Sequence, residues 1–142
     1  IPGSTEERMA VVRRLVEATR GAGIPDGKVY VDPLVMTIST NVQSANIAIA
    51  TMRAIKTEFP DVHMTQGLSN VSFGLPVRSL INRTYLTLAV EAGLDCAILD
   101  PNDRELRATL LATELLLGKD RHCLAYTRAF RAGLLGPVPA TK

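Results

Sequence analysis

The chain has 142 residues, 46% hydrophobic and 21% charged, which is the composition of a folded protein about one domain in size. Sixteen basic and fourteen acidic residues leave a net charge of +2, and Trp is absent, so a nucleic-acid surface is not expected. We expect no membrane span and no secretion signal, and the two cysteines, Cys96 and Cys123, fit reduced thiols in a cytoplasm. A small-molecule enzyme or a protein-binding module remains.

The first half of the chain is predicted to form a helix, a strand and a second helix. Ser4 and Glu7 make a capping-box pair that starts an amphipathic helix reaching Gly23. The β-branched run of residues 28–32, stopped by a proline, predicts a buried strand, and residues 43–58 predict the next helix. The arginines of the first helix are expected to lie outside: Arg8, Arg13, Arg14 and Arg20.

The same alternation repeats in the second half. Residues 64–68 predict a second strand, residues 71–79 a loop, and residues 80–92 a helix. Residues 96–100 predict a third strand, again stopped by a proline. We expect Asn102 and Glu105 to cap a further helix, and a short last helix is predicted near residues 122–132.

This order of elements predicts an α/β fold with parallel strands and right-handed crossovers. Three parallel strands make a small sheet with two open edges. We therefore expect the chain to be the C-terminal part of a (β/α)8 barrel of the TIM type, with about three parallel strands and their helices. Residues 1–135 are assigned to this partial barrel domain, and residues 136–142 to a flexible tail.

Each predicted strand ends on a polar residue: Asp32, Asn70 and Asp100. In barrels and doubly wound sheets, ligands gather at the carboxyl ends of the strands, so these residues predict a binding rim. The alternative is that they start turns or cap helices, which we favour for Asp100 because it directly precedes a proline. His63 precedes the second strand and is expected to point away from this rim.

The groups at the predicted rim suit a flat, hydrogen-bonding heterocycle. A carboxylate, an amide and the nearby hydroxyls of Ser69 and Ser72 offer donors and acceptors. The sequence has no glycine-rich phosphate loop, and the adjacent His122 and Cys123 cannot place two ligands on one helix face. We therefore expect no metal to be bound by this chain.

Several segments resemble the pterin-binding barrel of methyltetrahydrofolate:corrinoid methyltransferases, including the folate module of cobalamin-dependent methionine synthase. The most specific segment is Gly67-Leu-Ser-Asn-Val-Ser-Phe-Gly-Leu-Pro-Val-Arg78, followed by Leu80-Ile-Asn-Arg-Thr-Tyr85 and Ala92-Gly-Leu-Asp95. The strand Val29-Tyr-Val-Asp-Pro-Leu34 is similar as well. The resemblance runs from about Pro2 to Phe130, whereas the family's barrel is roughly twice as long. Its earlier strands, with the aspartate and the asparagine that they add to the pterin pocket, have no counterpart here.

The resemblance implies a set of site residues. Asn70 matches the family's asparagine that reaches N5 of the folate, and Asp32 matches the aspartate that binds the amino-pyrimidine edge of the pterin. Arg78 matches a basic residue near the folate tail, whose carboxylates need a cation. The remaining matches line the pocket: Gly67, Ser69, Ser72 and Ile98.

The implied function is methyl transfer from N5 of methyltetrahydrofolate to the cobalt(I) of a corrinoid. Methyltetrahydrofolate would be the substrate, and the corrinoid would be carried by a partner protein or domain. The enzyme would be a cytoplasmic methyltransferase of one-carbon metabolism, and self-association into a homo-oligomer is expected.

Two alternatives stay open. Dihydropteroate synthase is a condensing enzyme on the same barrel, but it would have a glycine-rich loop after Asp32-Pro33, where this chain has Leu34-Val35. It would also have a Ser-Arg-Lys segment where Asn70 follows Ser69. The other alternative is an inactive barrel fragment that serves only in packing or interaction.

Overall fold

The computed structural model describes residues 1–137, which contain three parallel β-strands and five α-helices. They belong to two units, one of residues Ile1–Leu99 and a second that starts at Asp100. The expected α/β class and the three parallel strands are confirmed, and all three strands lie in the first unit. Most of the predicted tail, residues 138–142, lies outside the described residues. Among the described helices, none combines the length and the apolar content that crossing a membrane requires.

Helix α1, Thr5–Gly21, begins as the capping box predicts. The hydroxyl of Ser4 accepts a hydrogen bond from the Glu7 N–H, and the Glu7 carboxylate accepts one from the Ser4 N–H, both at 3.2 Å. These two bonds satisfy main-chain donors that the first turn of a helix leaves without a partner. Met9, Val12 and Val16 form the buried face of the helix.

Arg8 was expected to lie outside, and this prediction is wrong, because Arg8 is only 8% exposed. Its guanidinium donates to the main-chain carbonyls of Pro2, Pro33 and Leu34. An arginine can be buried at low cost when its N–H groups find acceptors. Helical periodicity could not reveal these acceptors, because two of them lie in the segment after the first strand.

The sheet has the order β1-β2-β3, with β1 at Tyr30–Val31, β2 at His63–Gly67 and β3 at Cys96–Ile98. Tyr30 pairs with His63 and Gly67 pairs with Ile98. Helices α2, Ser44–Glu58, and α3, Arg78–Glu91, connect the strands, as parallel pairing requires. Helix α1 packs on α2, and α2 packs on α3.

The two faces of the sheet differ in burial. Met64 and Gln66 of β2 are buried, and the Gln66 carbonyl oxygen accepts a 2.8 Å hydrogen bond from the hydroxyl of Tyr85 on α3. Burial raises the pKa of this tyrosine above its usual value. On the other face Tyr30 is 58% and Ile98 68% exposed. The first unit therefore has its core on the side of the helices.

The second unit contains α4, Arg104–Leu116, and α5, Leu124–Arg131. The expected cap of α4 by Asn102 and Glu105 is wrong, since Asp103 is the N-cap and its carboxylate accepts a 3.0 Å hydrogen bond from the Leu106 N–H. Asp120 accepts hydrogen bonds from two main-chain N–H groups at the start of α5, which lower its pKa. Asp103 is thus the N-cap of α4, whereas Asp120 lies four residues before α5 and reaches its first turn with its carboxylate.

Candidate functional site

Two predicted site residues lie just beyond the ends of two neighbouring parallel strands. Asp32 comes next after β1, and Asn70 lies in a 3-10 helix, Leu68–Ser72, that comes next after β2. We call this helix the 68–72 turn. Because β1 and β2 are parallel, both residues lie at the carboxyl edge of the sheet, where α/β proteins bind ligands. His63, the first residue of β2, lies at the opposite end of that strand.

Asp32 is exposed and takes part in a local turn. One of its carboxylate oxygens accepts a 2.8 Å hydrogen bond from the Leu34 N–H, and Leu34 has a positive φ of 49°. The buried guanidinium of Arg8 holds the carbonyls of the following residues, and burial lowers the pKa of Arg8, while Tyr85 and Asp32 act in the opposite direction. The turn function and the predicted binding function are compatible, because the second carboxylate oxygen makes no hydrogen bond to residues 1–137.

The side chain of Asn70 is exposed, whereas its main chain is held in place. Its carbonyl accepts a 3.2 Å hydrogen bond from the Phe73 N–H, and the next carbonyl, of Val71, accepts a 3.0 Å bond from Ile38. The Asn70 amide makes no hydrogen bond within the described part of the chain. A fixed backbone with a free amide can present that amide to a ligand.

Hydroxyl groups join the loop after β1 to the loop after β2. Thr37 and Ser39 both donate to the carbonyl of Phe73, at 2.6 and 3.1 Å. Sequence reasoning missed these residues, because nothing in a single sequence links a hydroxyl to a carbonyl more than thirty residues away. These bonds couple the segment of Asp32 to the segment of Asn70.

The predicted residue Ser72 is fully buried. Its hydroxyl contacts the Asn82 side-chain oxygen at 2.7 Å, the Arg78 Nε at 3.1 Å and the Ser69 carbonyl at 3.2 Å. All its observed contacts are therefore internal, and a substrate contact of this side chain stays a prediction.

Arg78 is exposed and lies against the 68–72 turn. Its guanidinium donates to the Ser69 carbonyl at 2.8 Å and lies over the ring of Phe73, 5.6 Å from the ring centre. The residue before it, Val77, has a positive φ of 49°, which is unusual for a β-branched side chain. The observed position of Arg78 leaves other N–H groups of the guanidinium for a ligand.

Gly67 and Ile98 are register partners at the ends of β2 and β3. Ile98 is 68% exposed, and Ser69 is exposed in the 68–72 turn. The predicted residues of the first unit thus lie at or next to the carboxyl ends of its three strands. Asp100 begins the second unit, and its carboxylate accepts a 2.9 Å hydrogen bond from the Asn102 N–H, as the turn interpretation predicts.

Within residues 1–137, no three His, Cys, Asp or Glu side chains are grouped as a metal site would require. The polar groups that this edge of the sheet presents are carboxylate, amide and guanidinium groups. These groups can bind and orient a polar heterocycle and can stabilise charge on it.

Comparison with known proteins identifies related sequences. The chain is 39% identical over 140 residues to the methylcorrinoid:tetrahydrofolate methyltransferase of Eubacterium limosum. This alignment covers 99% of the chain and 52% of that protein. It is 33% identical over 102 residues to the methionine synthase of Mycobacterium tuberculosis, and 34% identical over 102 residues to that of Mycobacterium leprae. These two alignments cover 67% of the chain and 9% and 8% of the relatives.

The chain thus spans about half the length of the first relative and less than a tenth of the methionine synthases. The relatives confirm the resemblance to methyltetrahydrofolate:corrinoid methyltransferases that the sequence predicted. Residues 3–100, which include both strand ends described above, match the family described as pterin binding enzyme. By this match over most of its length, the chain belongs to the family of pterin-binding enzymes.

Proposed function

We propose that this chain binds a reduced folate at the carboxyl edge of its sheet and takes part in methyl transfer between N5 of that folate and the cobalt of a corrinoid. The observation that carries the proposal is the amide of Asn70, which makes no hydrogen bond to the described residues, at the same sheet edge as the carboxylate of Asp32 in a member of a pterin-binding family. The name of the Eubacterium limosum relative supports the choice of the two substrates.

Asn70 is the proposed catalytic residue. Transfer of the methyl group from the folate breaks the N5–methyl bond, whose electron pair stays on N5 and is neutralised by a proton from solvent. The cobalt(I) of the corrinoid substrate supplies the electron pair of the new cobalt–methyl bond and becomes methylcobalt(III). A tertiary amine is a poor leaving group, so N5 must be protonated or hydrogen-bonded in the transition state. An amide can accept from a protonated N5 or donate to a neutral one, and the Asn70 amide is free to do either.

Asp32 is proposed to bind the amino-pyrimidine edge of the pterin, because a carboxylate accepts hydrogen bonds from neighbouring N–H groups. Arg78 is proposed to face the negatively charged folate tail with the donors that the 68–72 turn does not use. Four further residues are proposed to line the pocket: Gly67, Ser69, Ser72 and Ile98.

The corrinoid is proposed to be a second substrate, carried by a partner protein or domain. The notation of the relative's name puts the methyl group first on the corrinoid and then on tetrahydrofolate. A residue that stabilises a transition state does so in both directions, so the proposed function of Asn70 holds for either one. No residue of this chain is proposed as a covalent nucleophile.

We further propose that the sheet is part of a closed (β/α)8 barrel. The exposed residues Tyr30 and Ile98 on one face support this, since a barrel buries that face in its interior. Both outer strands also have an unpaired edge in the described chain. On this basis we expect the 142 residues alone to bind and react much more weakly than an intact barrel.

The test is methyl transfer by the intact enzyme, with methyltetrahydrofolate and cobalt(I) cobalamin as substrates and the corrinoid absorbance as readout. The Asn70→Ala variant should lower the rate by about a hundredfold or more, as does the loss of other hydrogen bonds made in a transition state. Asn46→Ala is the matched control, because within residues 1–137 the side chain of this exposed asparagine on α2 hydrogen-bonds only to Gln43.

The 142-residue chain is assayed in parallel. An unchanged rate in Asn70→Ala would remove Asn70 from the reaction. Substantial turnover by the 142-residue chain alone would contradict the barrel proposal, and no transfer by the intact enzyme would contradict the proposed function.

A further inference from the structure

Helix α3 holds the 68–72 turn at two points, one on each side of Asn70. Arg78, the first residue of α3, donates from Nη2 to the Ser69 carbonyl at 2.8 Å. It also donates from Nε to the Ser72 hydroxyl at 3.1 Å. The main chain that carries Asn70 is therefore fixed both before and after this residue.

The Ser72 hydroxyl links the turn to a second residue of α3, Asn82. A hydroxyl has one proton to donate, and Ser72 accepts from Arg78, so that proton is directed to an oxygen. The Asn82 side-chain oxygen at 2.7 Å is closer than the Ser69 carbonyl at 3.2 Å. Ser72 is fully buried, so water does not compete for this bond.

We propose that Asn82 is a positioning residue for Asn70 and acts through the buried hydroxyl of Ser72. Asn82 orients this hydroxyl, the hydroxyl accepts the Arg78 Nε–H, and Arg78 in turn holds the turn on both sides of Asn70. The inference rests on the proposed function of Asn70 and adds to it a residue that does not itself touch the folate.

The Asn70 amide depends on the position of the turn that carries it. This amide makes no hydrogen bond within residues 1–137, so its position depends on the main chain of the turn. Catalytic groups must be held to within a fraction of an ångström, and a displacement of about 1 Å costs up to a hundredfold in rate. If the turn lost the hydrogen bonds of the Ser72 hydroxyl, we expect the Asn70 amide to move by such an amount.

A double-mutant cycle in the intact enzyme tests the coupling. Asn82→Ala should lower the methyl-transfer rate at saturating folate by about tenfold when Asn70 is present. In the Asn70→Ala background the same change should cost less than about twofold, because the group that it positions is gone. A residue that supports only the general fold would lower both rates by the same factor, and this result would overturn the proposal.

Two further variants separate positioning from loss of folding. Asn82→Asp keeps a side-chain oxygen for Ser72 and should retain a rate within about threefold of the original, whereas Ser72→Ala should reproduce the effect of Asn82→Ala. Thr84→Ala is the control on the same helix, since in the described part of the chain the Thr84 hydroxyl hydrogen-bonds only to the Leu80 carbonyl. An Asn82→Asp variant as slow as Asn82→Ala would contradict the assigned hydrogen bond.

Hydrogen exchange gives a readout that does not need methyl transfer. In Asn82→Ala the Phe73 N–H, which donates to the Asn70 carbonyl, should exchange at least about tenfold faster, while the amides of α1 keep their rates. Unchanged exchange at Phe73 would overturn the proposal. If Asn70→Ala left the reaction unaffected, the proposed function would fail, and the exchange result would still decide whether Asn82 fixes the turn.

Discussion

The side-chain nitrogen of Asn70 lies 3.5 Å from the place that a β-carbon on residue 67 would occupy. Gly67 ends β2 and is the residue on which the 68–72 turn starts. Its φ of −71° is open to any residue, so conformational freedom is not the reason for a glycine here. The absence of a side chain instead leaves space beside the Asn70 amide and above the sheet edge.

This relationship predicts a graded effect of substitutions at residue 67. Gly67→Ala should keep the Asn70 amide in place, since 3.5 Å is an ordinary contact distance, and should change methyl transfer by less than about threefold. Gly67→Val adds two methyl groups beyond the β-carbon and should lower the rate by about tenfold or more by displacing the amide. The measurement is the methyl-transfer rate of both variants, and equal effects of alanine and valine would contradict the steric explanation.

A second prediction concerns Asp32, which has one carboxylate oxygen in the Leu34 turn and one without a protein partner among residues 1–137. Asp32→Asn keeps an oxygen for the turn but replaces the other acceptor by a donor, which cannot pair with the N–H groups of the pterin. We expect tetrahydrofolate to bind about tenfold or more weakly, with little change in thermal stability. Calorimetric titration measures the affinity, and normal affinity would reduce Asp32 to a turn residue.

The parallel sheet and the polar residues after its strands could be predicted from the sequence, because both depend on local patterns. A β-branched run stopped by a proline marks β1, a second proline follows three residues after β3, and Ser4 with Glu7 marks the start of α1. These signals lie within a few residues of the element that they define. For this reason the residues next to the sheet edge could be named before the structure was known.

The contacts that hold the site could not be predicted in the same way. Arg8 follows the polar face of α1 by periodicity, yet it is buried because carbonyls 25 and 26 residues away accept its N–H groups. The sequence predicts a strand up to residue 68 and a loop from residue 71, but a 3-10 helix spans Leu68–Ser72, and the Ser72 hydroxyl at its end donates to the Asn82 side-chain oxygen. Such partners meet only through the fold, so they carry no signal in a single sequence.

A third prediction concerns Asp95, at the end of the sheet opposite the candidate site. Its carboxylate accepts from the Met64 N–H at 2.8 Å and contacts Lys56 Nζ at 3.0 Å and His63 Nδ1 at 3.5 Å. Partial burial opposes ionisation, but the Met64 N–H and Lys56 outweigh it and lower the pKa of Asp95. A carboxyl group with a lowered pKa stabilises the folded state above its unfolded pKa, and this stabilisation is lost as the pH falls through the folded pKa.

The stabilisation is therefore lost as the pH falls from about 5, and mostly below about pH 4, where an unfolded aspartate is half protonated. Asp95→Asn should lower the free energy of unfolding by about 1 kcal/mol at pH 7, and the difference should shrink as the pH approaches 3. Urea unfolding at several pH values measures this difference in the free energy of unfolding. Asp61→Asn is the control, an exposed aspartate in the turn before β2, and an equal loss in both variants would exclude the ionic contribution of Asp95.

The last prediction concerns Val77, whose φ of 49° lies in the left-handed region directly before α3. A β-branched side chain is strained there by about 1–2 kcal/mol, and glycine is not. Val77 is 70% exposed, so removing its side chain loses little burial. Val77→Gly should therefore leave the free energy of unfolding unchanged or raise it by up to about 1 kcal/mol, because the relief of strain exceeds the entropy that glycine adds to the unfolded chain.

The control is Val42→Gly, the same change at a residue that is 77% exposed and does not have a positive φ. Here no strain is relieved, so the added freedom of the unfolded chain should destabilise the protein by roughly 0.5–1 kcal/mol. Urea unfolding of both variants under the same conditions measures the difference. Equal destabilisation at the two positions would mean that the left-handed conformation of Val77 does not lower the free energy of unfolding. In that case the junction between the 68–72 turn and α3 would be an unstrained part of the site.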